Sequence, residues 1–343
     1  MSERKVPVYA PHAEPEAGPG EAPQFVRSIE KTDVVRRVSP IAWVALLIVW
    51  VVWGSTYLAI RVGDETIPPL VLAAVRFLIA GLVMFPLAYR NAASAARAAG
   101  QAGPSGRYWP RRSEWLGCAV VGILLIGANA AVCVAETSVP SGLTALLIAT
   151  VPLWLLGIDA VLNHARLGLA LVTGLAIGLA GVGLLSGLGG GKGGVSVSGV
   201  VIILCSAAAW ATGTTMARRV PTPASPALTS AMQLLIGGVF SLVLAAASGE
   251  FGSFRPSAVS DRSWLALAYL IVFGSIVGFS AYVIANRMLP TRTVAPYAYV
   301  NPVIAVLLGT LILNEPVTLG MLAGGVLIVA AVVLVVRRSP PAH

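Results

Sequence analysis

The chain has 343 residues, 57% of them hydrophobic and only 11% charged, against roughly 25% charged in a soluble domain. With a mean hydropathy of +0.85, this balance excludes a soluble globular fold. The net charge of +9 does not indicate nucleic acid, because most Lys and Arg fall between apolar runs and in the tails, as cytoplasmic loops of membrane proteins do.

Residues 1–40 are polar, rich in Pro and Glu, and lack an apolar core. They are expected to be a disordered cytoplasmic tail, not a cleavable signal peptide. Ten apolar runs follow, each near the roughly 20 residues a helix needs to cross a bilayer. The first half, 41–186, holds spans over Ile41–Ile60, Leu70–Tyr89, Trp115–Ala135, Leu143–Leu162 and Leu167–Ser186. A basic loop, Arg90–Glu114, separates the second span from the third. The glycine-rich stretch 187–198 is read as an external linker. The second half, 199–336, holds Gly199–Ala217, Pro226–Ala247, Trp264–Ala285, Val294–Leu313 and Leu319–Val336. Residues 337–343 form a second cytoplasmic tail. The spacing predicts antiparallel hairpins for spans four and five and for nine and ten.

With the N-terminus inside, the outer segments carry only Lys192, Arg255 and Arg262 besides Arg61 at the outer end of the first span, so the charge bias places both termini in the cytoplasm. Cys118, Cys133 and Cys205 lie within apolar runs and read as packing residues. The stretch GLGGGKGG imitates a phosphate-binding loop. However, Ser186 stands where the first glycine belongs, and Gly193 follows Lys192 where Ser or Thr is required.

The halves echo each other. Trp53 aligns with Trp210, Gly81 with Gly238, Trp115 with Trp264, Pro140 with Pro290 and Pro152 with Pro302. A repeat of five spans must lie upside down relative to the first, an arrangement typical of secondary transporters with a substrate site between the repeats. Pairs such as Gly174 and Gly178, Gly274 and Gly278, and Gly320 and Gly324 are read as helix-packing faces.

Polar residues inside spans usually face a bundle interior or a wet path. Helical spacing groups Trp53, Tyr57 and Arg61; Asn129, Cys133 and Glu136; Ser275, Tyr282 and Asn286; and Tyr297 with Asn301. The candidate cavity comprises Trp53, Tyr57, Arg76, Asn129, Glu136, Trp210, Thr214, Gln233, Tyr282, Tyr297 and Asn301. Gln233 is the counterpart of Arg76, and Asn286 that of Glu136. Arg76 lies deep in its span and needs an anionic partner if buried. Arg61 is expected to snorkel to the interface. Glu315 reads as an outer interface group, and Asp159 and His164 as inner ones. Pro152, Pro296 and Pro302 break helical hydrogen bonding.

The segments WGSTYLAIRVG at Trp53–Gly63, PPLVLAAVRFLIAG at Pro68–Gly81, AETSVPSGLTALLIATVPLW at Ala135–Trp154, SAYVI at Ser280–Ile284 and AYVNPVIAVLLGTLILNEP at Ala298–Pro316 resemble the EamA family of the drug/metabolite transporter superfamily. Within it the resemblance is to inner-membrane permeases, and it covers about Ile41 to Val336. It implies an all-α fold of ten helices in two inverted five-helix repeats. It also implies alternating access through a central cavity, and export of amino acids, metabolites or toxic compounds. WATGTT stands at Trp210–Thr215 where the first half has WGSTYL, so the halves are not expected to share roles equally.

The reading is a transporter that exports a small molecule, with lipid as its other partner. Proton or ion coupling and a homodimer are left open, and no cofactor, metal or nucleic acid is expected. The alternative is a non-transporting membrane receptor or scaffold, which would have a sealed seam between the halves. An enzyme is disfavoured because none of the three His lies mid-span, and a channel because no charged ring or filter-like loop is visible.

Overall fold

The computed structural model describes residues 39–100, 108–162, 169–185, 196–294 and 297–338. The rest of both expected tails, most of the linker with Lys192, the turn bearing His164, and Pro296 lie outside the described residues. The described residues belong to one compact unit, Ser39–His343.

The protein is an all-α, multi-pass membrane protein. Its main helices are α1 (Pro40–Gly63), α2 (Pro69–Ala98), α3 (Arg112–Glu136), α4 (Ser141–Ile148), α5 (Val151–Leu162), α6 (Leu169–Leu185), α7 (Val197–Met216) and α8 (Pro226–Ala247). After the short α9 (Glu250–Ser253) come α10 (Asp261–Tyr269), a π-helical segment (Leu270–Val277), α11 (Gly278–Met288), the short α12 (Thr291–Val294), α13 (Tyr297–Leu313) and α14 (Leu319–Arg338). Among the described residues, seven helical stretches are long and apolar enough to cross a membrane, with α4–α5 and α10–α11 each counted as one, and three shorter apolar helices accompany them.

The starts follow local chemistry. Prolines occupy the first turns of α1, α2 and α8, where a missing N–H costs nothing. Ser196, Ser225 and Ser260 cap α7, α8 and α10 through their side chains. Glu114 Oε2 reaches back to the Arg111 N–H at 2.7 Å to close the start of α3.

Four expectations need correction. The second span does not stop at Tyr89, because α2 runs on to Ala98 through the alanine-rich NAASAARA, a sequence of strong helix formers that needs no apolar face to stay helical. The fourth span is broken at Ala149–Thr150 into α4 and α5, since Pro152 has no N–H to give back to the preceding turn. The eighth is interrupted by the π segment. The ninth and tenth spans do not find their main contacts in each other: α14 packs chiefly on α6, and α13 on α1 and α4.

The bundle is built from crossings between residues 40–185 and residues 196–338. Helices α2 and α8 pack face to face, as do α6 and α14. Helix α3 packs on α7, and α1 packs on α10, the π segment and α11. Contact is most extensive between α2 and α8. A Cβ on Gly81 would lie 2.8 Å from the Leu235 backbone nitrogen, and one on Gly238 would lie 2.8 Å from that of Leu78. Glycine is what lets these backbones touch.

Candidate functional site

A small cavity of about 50 Å³ lies where these crossings converge. Trp53, Tyr57, Arg76, Asn129, Trp210, Tyr297 and Asn301 line it, with Thr56 and Ser206 added. Its size admits a few waters at most, so the centre is closed around its own side chains.

Arg76 is 2% exposed. Its Nε donates to Ser275 Oγ at 2.8 Å and its Nη1 to Asn129 Oδ1 at 3.4 Å. Its guanidinium carbon also sits 4.6 Å from the Phe77 ring centre. These partners are neutral, and among the described residues no carboxylate forms an ion pair with Arg76. A buried cation held only by neutral groups has lost more hydration than it regains.

The π segment supplies this seat. Its wider turn places Ser275 Oγ on Arg76 and turns the Gly274 carbonyl toward Trp53 Nε1, which donates to it at 3.2 Å. Gly274 and Gly278, read as a packing face, instead make room for the site. A Cβ on Gly274 would lie 2.9 Å from Arg76 Nη2, and one on Gly278 would lie 2.6 Å from Trp53 Nε1. π-turns of this kind recur at functional sites.

Trp53, Trp210 and Tyr297 line one side of the cavity, with Tyr282 packed against them. Trp53 lies 5.2 Å from Trp210 edge-on, 4.9 Å from Tyr282 and 5.9 Å from Tyr297. The Tyr282 hydroxyl and Thr214 Oγ1 are 2.6 Å apart. Asn301, with its amide oriented to satisfy its neighbours, donates to Trp50 O at 2.9 Å and Tyr297 O at 3.1 Å. Ser206 Oγ ties α7 to the Ala128 carbonyl of α3 at 2.8 Å.

The expected residues do not all meet in this cavity. Thr214 and Tyr282 join it only through the aromatic cluster. Gln233, the second-half counterpart of Arg76 and expected in the same cavity, lines a second, larger one of about 320 Å³, with Tyr282, Asn286, Arg218 and Arg287. Glu136 lines neither. It is fully buried with both carboxylate oxygens unpartnered, and its backbone carbonyl accepts from Arg61 Nη1. Arg61 therefore turns inward, contrary to the snorkelling expectation. Asp64 sits nearby, just past the end of α1, with both oxygens shut off from solvent and without a partner. Burial pushes its carboxyl well above the usual range, Arg61 pulls it down, and Glu250 pushes it up again.

Other polar residues act as ties. Asp159 pairs with Arg219 at 3.0 Å. Cys118 and Cys133 are buried, whereas Cys205 faces outward. Glu315 is not a loose interface group. Its Oε1 accepts from the Ser141 N–H at 3.0 Å and its Oε2 from the Gly142 N–H at 3.2 Å, while the Ser141 hydroxyl also donates to it. It thus fastens the chain after α13 onto the start of α4, where helical N–H groups lack partners. Glu315→Ala is expected to destabilise the protein by about 2 kcal/mol, with Glu315→Gln losing about half as much, as thermal unfolding in detergent would register.

The profile of the EamA-like transporter family matches residues 40–187 and again 197–337. The uncharacterised inner membrane transporter YedA of Escherichia coli K12 is 35% identical over 297 residues, covering 86% of this chain and 90% of that protein. The uncharacterised transporter YvbV of Bacillus subtilis is 29% identical, covering 86% and 92%. A probable amino-acid metabolite efflux pump of Salmonella typhimurium is 27% identical, covering 84% and 92%. A solved crystal structure shares the fold with a TM-score of 0.54 at 24% identity, over 85% of this chain and 95% of that one. Two matched stretches spanning nearly the whole described bundle make the chain a polytopic membrane transporter that belongs to the EamA-like transporter family.

Proposed function

We propose that this protein is a secondary exporter that moves a small metabolite, amino acid or drug-like compound outward across the cytoplasmic (inner) membrane by alternating access. The observation that carries this reading is Arg76. It is buried at the crossing of helices from both matched stretches, beside a polar, aromatic-walled cavity, and its partners are neutral. A scaffold protein would gain nothing from such a costly group.

The finer architecture in this proposal is ten spans in two inverted halves, with both termini cytoplasmic. The paired crossings support it. Exchanging the halves maps the α2–α8 crossing onto itself, with Gly81 against Leu235 and Gly238 against Leu78. The same exchange maps the packing of α3 on α7 onto that of α10 and α11 on α1. The names of the relatives, an inner membrane transporter and an efflux pump, support location and direction.

The test is a metabolite screen in proteoliposomes, with and without a pH gradient, on protein whose sidedness has been fixed by labelling. Single cysteines placed at Lys192 and Ser257 are expected to react with an impermeant maleimide from outside, and one at Thr222 only from inside. Reaction of Lys192→Cys solely from inside, or a seam that passes no solute, would sink the reading.

A further inference from the structure

The larger cavity lies against the ends of α7 and α11 and the start of α8, and opens at the arginine-rich end of the bundle. On the orientation proposed above, that end faces the cytoplasm. At about 320 Å³ it reaches the size range of small-molecule sites, whereas the central cavity does not. None of the residues lining it is acidic.

Two arginines line this vestibule, and their hydrogen bonds go to neutral acceptors. Arg287 donates through Nη1 to Ala224 O at 2.8 Å, and through Nη2 to Pro223 O and Thr229 Oγ1, both at 2.9 Å, and to Thr222 Oγ1 at 3.0 Å. The side chain is thereby pinned while its charge stays uncompensated. Arg218 Nη2 donates to Asn286 Oδ1 at 3.0 Å. Two guanidinium groups lining one open cavity offer a seat for a carboxylate.

A second observation points to a ligand independently. Gln233 lines the same cavity, is 2% exposed, and its Oε1 is buried without a hydrogen-bond partner. Buried polar atoms in native proteins are nearly always satisfied. An acceptor left open beside two cations calls for a molecule bearing both a negative group and an N–H. Tyr282 forms part of the inner wall and packs at a tilt against Trp53 and Trp210, so the next surface met on the way to Arg76 is aromatic.

We infer that the vestibule is the loading site for an organic anion: a carboxylate carried with an amide or amine N–H on a flat apolar body, as in an N-acyl or aromatic amino acid derivative. Arg218 and Arg287 take the carboxylate and Gln233 takes the N–H. Displacement of the Trp53–Trp210–Tyr282 rings then passes the anion to Arg76, whose neutral partners leave its charge to be met by the cargo. The inference rests on the transport reading for its direction but not for the binding itself. It also implies that the membrane potential, negative inside, favours export of the anion without an obligatory coupling ion.

The probe is tritiated hippurate (N-benzoylglycine), tested on the full chain in detergent by scintillation proximity. The competitors are 3-benzoylpropionate, which replaces the N–H by CH2, hippuramide, which is neutral, and N-(2-aminoethyl)benzamide, which is cationic. Saturable hippurate binding is expected, displaced weakly by 3-benzoylpropionate and not by the neutral or cationic analogue. Arg218→Gln and Arg287→Lys are each expected to weaken hippurate at least tenfold. Gln233→Leu is expected to equalise hippurate and 3-benzoylpropionate, a change of preference that a merely structural role would not produce. No saturable hippurate binding, equal displacement by all three analogues, or full affinity in Arg218→Gln together with an unchanged preference in Gln233→Leu would overturn the inference. Anion-selective binding without hippurate counterflow in proteoliposomes would uphold the site and count against transport. Counterflow of cations with no hippurate binding would do the reverse.

Discussion

Replacing Arg76 by glutamine is expected to abolish transport and, at the same time, to make the empty protein harder to unfold. The guanidinium is 2% exposed and bound to the hydroxyl of Ser275 and the amide of Asn129, so the hydrogen bonds that offset its desolvation come from neutral groups. Removing a buried charge of this kind gains stability, commonly about 1–4 kcal/mol when the replacement packs well. The stranded Ser275 and Asn129 groups give back about 1 kcal/mol each. The difference spans about −1 to +2 kcal/mol; where the glutamine packs well it is a rise of up to about 2 kcal/mol, seen as a higher unfolding midpoint in detergent. For the transported molecule the sign reverses. Losing one member of a desolvated charge pair costs about 3–5 kcal/mol, which is at least a hundredfold in transport. The combination is the signature of a group kept for function at the expense of stability. If Arg76→Gln lowered the midpoint while transport persisted, Arg76 would be a structural residue.

The second large effect is expected at the α2–α8 crossing. Gly81→Ala and Gly238→Ala should each cost about 2 kcal/mol, and the valine variants should fail to give monodisperse protein. In both places the added carbon meets a backbone nitrogen at 2.8 Å as well as a leucine side chain, and a backbone cannot step aside as a side-chain tip can. Because the two glycines sit on one crossing, the double alanine variant is expected to cost less than the sum, the helices having already moved apart. Size-exclusion profiles and unfolding midpoints give both numbers. Equal tolerance of alanine and valine at either site would mean the helices do not touch there.

Much of this bundle could be read from the residues. Long apolar runs, charge asymmetry between loops, and the return of Trp53 as Trp210 and of Gly81 as Gly238 are signals tied to bilayer thickness and to repeated packing. Departures arose where the local cue was of another kind. The alanine run after Tyr89 stays helical without hydrophobicity, and the π turn at Leu270–Val277 has no compositional mark. For the site, i to i+4 spacing placed Trp53 with Tyr57 and Tyr297 with Asn301 on the central cavity. It could not say at what depth a stripe ends. That is why Gln233 belongs to the vestibule and Glu136 to neither cavity. Arg218 and Arg287 were legible only as topology-setting charge, since nothing in a single chain separates a loop cation from one that faces a cavity.

The π-helical segment has a mechanical consequence. A stretch wound more widely than its neighbours holds surplus chain, and tightening it into ordinary α-helix would turn everything downstream by about 100° per residue taken up. The part that would swing is α11, whose Tyr282 shuts the inner wall and whose Asn286 steadies Arg218. Ser275, upstream in the same coil, stays hooked to Arg76. A swivel built into one helix could thus unlatch the aromatic wall from the loading side while its grip on the central cation holds, without either half of the bundle having to bend.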